Sequence, residues 1–162
     1  MQGHPHNTTL YLSRAGRRCS TNPSPNPTPR AALLESFRLL EAELRVSYSK
    51  DKGDRSGTCA LAALLRGHRL FLQSVGDCRA VALRGPDHAE PFSQLSTDMR
   101  ATSQPEMQRI LAAGGQITDG RVWGGLIPSR TLGDFPWKDK GPGLIATPEE
   151  IEIEVRSLAD PS

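Results

Sequence analysis

Apolar residues change their spacing several times along this chain, and each change marks an element. Leu33, Phe37, Leu40 and Leu44 recur at i, i+4, i+7 and i+11, the spacing of one helical face. Thr28 can cap its start and Pro29 is tolerated at the first helical position, so a helix is expected over about 30–48. Glu35, Glu41 and Glu43, with Arg38 and Arg45, mark its wet side. A polar loop covers 49–56. The apolar run 58–65 reads as a strand buried on both faces, although its alanines and leucines also allow a helix. Alternation over 70–75 gives a second strand, broken by Gly76-Asp77. A third resumes over 80–83 and closes at Arg84-Gly85-Pro86-Asp87. Three neighbouring strands on short turns predict an antiparallel meander.

The second half has its own punctuation. Ser103-Gln104-Pro105-Glu106 has the S-x-x-E spacing of a capping box. A helix follows through Met107, Ile110 and Leu111 and stops at Gly114-Gly115. Short strands over 116–118 and 121–123 are joined by Asp119-Gly120, a favoured hairpin turn. Ile151, Ile153 and Val155 alternate with Glu150, Glu152 and Glu154, which predicts a half-buried strand with one acidic face.

Composition narrows the class. The 162 residues suit one domain at most. Thirteen prolines and fifteen glycines imply many turns and a modest core. The net charge of +2 conceals an asymmetry: residues 1–30 carry four arginines and no acid, so the rest is slightly acidic. A near-neutral body argues against nucleic acid as a partner. No run approaches the roughly 18 apolar residues of a membrane span, so no membrane association is expected either. Residues 1–29 read as a disordered, basic, proline-rich leader, 30–157 as the folded unit, and 158–162 as a tail. The arginine-rich, acid-free leader leaves a mitochondrial address open beside a cytoplasmic or nuclear one.

Cys19, Cys59 and Cys78 match no zinc spacing and read as reduced thiols, the last two buried in strand-like surroundings. His4 and His6 lack a third metal ligand.

An ordered set of short strings then points to a family. It comprises Ser56-Gly57-Thr58-Cys59-Ala60, then Val75-Gly76-Asp77-Cys78-Arg79-Ala80-Val81, then Asp98-Met99-Arg100-Ala101. Glu106 with Arg109-Ile110 and Gly114-Gly115 follows, then Arg121-Val122-Trp123-Gly124-Gly125-Leu126, then Ser129-Arg130-Thr131-Leu132-Gly133-Asp134, then Thr147-Pro148-Glu149. In this order and spacing they resemble the interior of a protein phosphatase 2C domain, the metal-dependent serine/threonine phosphatases. The family writes S-G-[ST]-T-A and V-G-D-S-R-A-V where this chain has Cys59 and Cys78. The resemblance implies an α+β fold, here part of an α-β-β-α sandwich of two antiparallel sheets flanked by helices. It also implies a monomer acting on phosphoserine and phosphothreonine proteins.

The same resemblance implies Mn2+ or Mg2+, since two such ions activate a water for attack on phosphorus. Hard cations need several converging oxygen ligands. The family supplies them from an E-D pair, D-G-H-G-G, C-D-G-x-W-D and a final D-N, none of which occurs in these 162 residues. Asp77 is the one carried-over metal position, a secondary one in the family; as a bare residue it also suits a tight turn after a strand. No catalytic residue is assigned. Asp134 is expected to fix a loop through Arg130 by a charge-assisted hydrogen bond, and Arg79 to act as scaffold. Trp123 and Trp137 are expected to pack. Lys138 and Lys140, in the stretch 135–143 that corresponds to a variable flap, could meet a phosphorylated substrate or simply be solvated. These residues by themselves are expected to be an inactive phosphatase fragment; the alternative is a non-catalytic pseudophosphatase that binds partner proteins or phosphoproteins.

Overall fold

The structure, a computed structural model, describes residues 27–51, 53–83 and 92–155. Most of the 1–29 leader with Cys19, the turn at 84–87 and the 158–162 tail lie outside the described residues.

In chain order the elements are α1 (Pro29–Lys50), β1 (Gly57–Thr58), β2 (Ala60–Arg66), β3 (Arg69–Val75), β4 (Val81–Leu83), β5 (Phe92–Gln94) and α2 (Gln104–Ala112). Then come β6 (Ile117–Thr118), β7 (Arg121–Val122), β8 (Leu132–Gly133), α3 (Phe135–Lys138) and β9 (Glu149–Glu154). The mixture of helices and antiparallel ladders is α+β, as expected. Among the described helices none is long and apolar enough to cross a membrane.

Helix α1 starts as the sequence predicts. The Thr28 hydroxyl accepts a hydrogen bond from the Ala31 amide at 3.2 Å, and Pro29 occupies the first turn. Its inward face differs from the expected one. Phe37 is buried and Leu44 packs beside it, but Leu40 is 44 % exposed. Glu41 points inward instead, because it has partners there: its carboxylate accepts from the Gly133 amide at 2.8 Å and from Lys138 Nζ at 2.6 Å.

The central sheet has the order β2-β3-β9, with β3 in the middle. Ala60 faces Val75 across β2–β3, and Leu72 faces Ile151 across β3–β9. The strand buried on both faces is therefore β3, from Phe71 to Val75, and not the apolar run at 58–65. That run becomes two strands, and β2 is only half-buried because it lies at the sheet's edge. The expected meander also breaks: β4 does not join β3 but pairs with β5. The tight bend at Gly76-Asp77 turns the chain out of the central sheet. The acidic alternation of β9 is explained by its neighbours, since Arg69 pairs with Glu152 and Arg30 with Glu150.

Two apolar clusters hold the elements. Phe37, Val75 and Leu132 join α1 to β3 and β8. Ala101, Ile110, Val122 and Leu144 form the second, with Trp123 and Trp137 packed against it. Both tryptophans thus serve packing. The β6–β7 hairpin forms as predicted, with Asp119 and Gly120 at φ of 52° and 71°, the left-handed pair that such a turn requires.

Candidate functional site

The two Gly-Asp pairs converge on one short segment. Gly57 faces Gly133 in the β1–β8 ladder, which brings Asp134 over Gly57. Two residues on, the Cys59 side chain lies against Gly76 and its thiol donates to Asp77 Oδ1 at 3.4 Å. Segment 57–59 therefore sits between both aspartates. Gly76 has φ of 88°, and a Cβ there would lie 2.3 Å from Cys59 Sγ, so glycine is required on two counts.

Asp77 begins a row of alternating charge. Its Oδ2 accepts from Arg100 Nε at 3.2 Å, and Arg100 Nη2 lies 3.4 Å from Asp98 Oδ2. Asp98 in turn accepts from Arg79 Nε at 2.9 Å and Nη2 at 2.5 Å. The hydrogen bonds from Arg79 hold the Asp98 carboxyl below its usual range, against the smaller effect of burial. The backbone fixes the register of the row, since the Met99 amide donates to the Gly76 carbonyl at 3.0 Å. Arg79 thus has the scaffold role expected of it.

Beside Asp77 the Cys59 thiol is held firmly protonated. A hydrogen bond with the Cys78 side chain is the main cause, followed by burial and the nearby Asp77 charge. Both cysteines are half-buried, where full burial is expected from the sequence.

Glu106 forms a second carboxylate centre. Glu106 is 6 % exposed and accepts from three side chains. Its Oε1 takes Arg130 Nη2 at 2.6 Å. Its Oε2 takes Arg109 Nη2 and the Ser129 hydroxyl, both at 2.7 Å, with Arg130 Nε at 3.1 Å. Burial alone would raise its pKa, but hydrogen bonds from Arg130, Arg109 and Ser129 outweigh burial and hold it at about 2. This corrects two expectations. Glu106 does not close a capping box, and Ser103 donates its hydroxyl to the Arg100 carbonyl. Arg130 fixes its loop through Glu106 and the Thr147 carbonyl; no bond to Asp134 forms. Asp134 stands at the N-terminus of α3 with φ of 53°, and burial pushes its carboxyl pKa up.

The two lysines of the 135–143 stretch differ, Lys140 being exposed and Lys138 not. Lys138 is turned inward to Glu41 and the Thr131 carbonyl, its side chain 9 % exposed. Lys140 donates to the Trp123 carbonyl at 3.3 Å and lies over the Trp137 ring.

A divalent ion needs several oxygen donors at once. Asp77 offers one carboxylate, already engaged by Arg100 and Cys59. Among the described residues no group of three or more His, Cys, Asp or Glu is placed to hold an ion. The described residues alone therefore do not fit the metal pair that the resemblance implies.

The family model described as Protein phosphatase 2C matches residues 6–160. The chain belongs to the protein phosphatase 2C family. It is 41 % identical over 116 residues to a rice protein (Oryza sativa subsp. japonica) named "Probable protein phosphatase 2C 47", covering 68 % of this chain and 28 % of the relative. It is 32 % identical over 117 residues to the integrin-linked kinase-associated serine/threonine phosphatase 2C of Bos taurus, covering 70 % and 32 %. Among solved structures, a Caenorhabditis elegans sex determining protein superposes with a TM-score of 0.65 at 24 % identity, covering 83 % of this chain and 33 % of that one. The serine-threonine phosphatase 2C of Toxoplasma gondii gives 0.60 at 18 %, covering 77 % and 46 %. The chain thus spans about three-tenths of the length of these curated relatives.

Within the protein phosphatase 2C frame, the strings at 75–81 and 129–134 both meet the one at 56–60. The Glu106 centre was missed by sequence reasoning, although Glu106 and Arg109 stand three apart on a helix, a spacing that signals a pair. The Arg100 contact to Asp77 had no local signal, because 23 residues separate them.

Proposed function

We propose that these residues are the scaffold of a metal-dependent protein serine/threonine phosphatase, one acting on phosphoserine and phosphothreonine proteins. The observation that carries this reading is the convergence of both Gly-Asp pairs on segment 57–59 within a chain of this family. Asp77 is proposed as a single metal-facing carboxylate, effective only when further carboxylates are supplied by sequence outside these 162 residues. In their absence Arg100 supplies the positive charge that Asp77 needs, and the 162 residues alone are inactive. Mn2+ or Mg2+ would supply, when bound, the activated water and the charge stabilisation for phosphoryl transfer. A transcript carrying D-G-H-G-G upstream and C-D-G downstream in the same frame would support this reading; its absence from every transcript would overturn it.

The engagement of Asp77 with Arg100 also favours a second reading, a pseudophosphatase that binds phosphoproteins without turnover. Saturable binding of a phosphothreonine peptide by this chain, with no hydrolysis in excess Mn2+, would support it; no preference over the unphosphorylated peptide would sink it.

A further inference from the structure

The central sheet has two edges of opposite character. β9 forms one and carries Glu149, Glu150, Glu152 and Glu154. β2 forms the other, and among the described residues no strand pairs with its outer side. Sheet edges are commonly blunted by charge, proline or a bulge. Residues 60–65 have no charge and no proline, and their register with β3 is unbroken. The β2–β3 hairpin fixes what this edge presents. Arg66 and Arg69 pair on either side of the two-residue turn Gly67-His68. Such a flanking pair exchanges both hydrogen bonds, and bonding alternates from there along the ladder. Ala60, Ala62 and Leu64 therefore bond to β3, while Leu61, Ala63 and Leu65 turn their N–H and C=O groups outward. The same three residues share the sheet face turned away from α1, since Ala60 and Ala62 pack against the Phe37 cluster. Leu61 and Ala63 are half-buried, and Leu65 is 55 % exposed.

We propose that β2 is an interface between two copies of this chain, paired antiparallel, edge to edge, about a two-fold axis at Ala63. This departs from the monomer that the resemblance implies. The strand is self-complementary in that register. Ala63 faces its own counterpart, and Leu65 of each copy faces Leu61 of the other. All of these residues point their main-chain groups outward, so each pair exchanges both hydrogen bonds. Leu65 gains an apolar neighbour across the strands. The Arg66 side chains lie at opposite ends of the pairing and do not meet. Charge selects this edge over the other. Two β9 strands side by side would set glutamates against glutamates. A β2–β9 contact would oppose glutamates to alanine and leucine, and it would leave an open, unclosed chain of copies. Helix α1 packs over β3. Three strand spacings put β3 about 14 Å from its copy, and packed helices need about 8–10 Å, so both helices fit on one face.

The test is sedimentation velocity of the 162-residue chain over a range of concentrations. The expected result is a monomer–dimer equilibrium that stops at the dimer. Leu65→Lys puts a charge against the partner's leucine at an already exposed position and should lose the dimer. Ala63→Pro should lose it too; the N–H it removes faces outward, so β3 keeps its hydrogen bonds. Both variants should keep the parent's far-ultraviolet spectrum. Ala63→Cys should close an intermolecular disulfide at that position under mild oxidation, since the paired Cα atoms stand about 5.5 Å apart. A chain that stays monomeric up to its solubility limit would overturn the proposal, as would open-ended polymers. So would a dimer that survives Leu65→Lys, or one lost only with Leu83→Ser and Phe92→Ser, which would place association on the β4–β5 ladder.

Discussion

Glu106 Oε1 and Arg130 Nη2 stand 2.6 Å apart, and the same carboxylate also gathers Arg109 and Ser129. This joins α2 to the loop before β8, which Arg109 Nη2 also reaches through the Ser129 carbonyl at 3.1 Å. Removing one partner of such a buried set leaves charge without compensation. Glu106→Ala should therefore cost roughly 3 kcal/mol, at the lower end for buried pairs because both arginines keep some solvent contact. Denaturant unfolding at neutral pH checks this value.

The same carboxylate sets a pH dependence. Its folded pKa of about 2 lies below the ordinary 4.5, so its stabilisation is complete above about pH 4.5 and is lost as pH falls toward 2. The shift corresponds to roughly 3 kcal/mol. Unfolding free energy measured between pH 5 and 2 should fall more steeply in the parent chain than in Glu106→Gln. Parallel slopes would show that Glu106 is not the titrating group.

Arg79 offers the contrast. It chelates Asp98 with two hydrogen bonds, yet its side chain is 54 % exposed. Water already solvates this guanidinium, so Arg79→Gln should cost far less than Glu106→Ala. A loss equal to that of Glu106→Ala would place the structural weight in the Asp77–Asp98 row.

Gly57 tests the convergence of the Gly-Asp pairs. A Cβ there would lie 2.1 Å from the Asp134 carboxyl, and Asp134 is held in place by its backbone amide, which donates a hydrogen bond to the Ser56 carbonyl at 2.9 Å. Gly57→Ala should destabilise by about 1–3 kcal/mol through overpacking. The thermal melt of Gly57→Ala beside Gly67→Ala checks it, since Gly67 has open space around its Cβ position and only its φ of 62° to oppose substitution.

Solubility should follow the β4–β5 ladder. Leu83 is 87 % exposed and Phe92, its partner across the ladder, 62 %. Exposed apolar residues on a short two-stranded ladder invite association. Leu83→Ser with Phe92→Ser should raise the soluble yield without lowering the melting temperature, as read by scattering and thermal unfolding.

These relationships were unequally legible in the sequence. Helix α1, helix α2 and the Asp119-Gly120 hairpin follow from spacing and turn chemistry, which are local. The inward turn of Glu41 did not, because its partners Gly133 and Lys138 lie more than 90 residues away. Periodicity ranked Leu40 as core since an aliphatic side chain usually wins such a position; here a carboxylate with two donors did. The departure of β4 from the central sheet was hidden for a similar reason. Position β3 is contested by β9, whose glutamates find Arg69 and Arg30 waiting. Asp77 could be named from its motif, whereas its pairing with Arg100 depends on how residues 98–100 fold back on Gly76.

The central claim is that these 162 residues hold the family's scaffold without a complete metal set. Hydrolysis of an aryl phosphate by the purified chain in excess Mn2+ tests it most directly. The account predicts no turnover above the metal-only rate. Turnover that Asp77→Ala abolishes would contradict it.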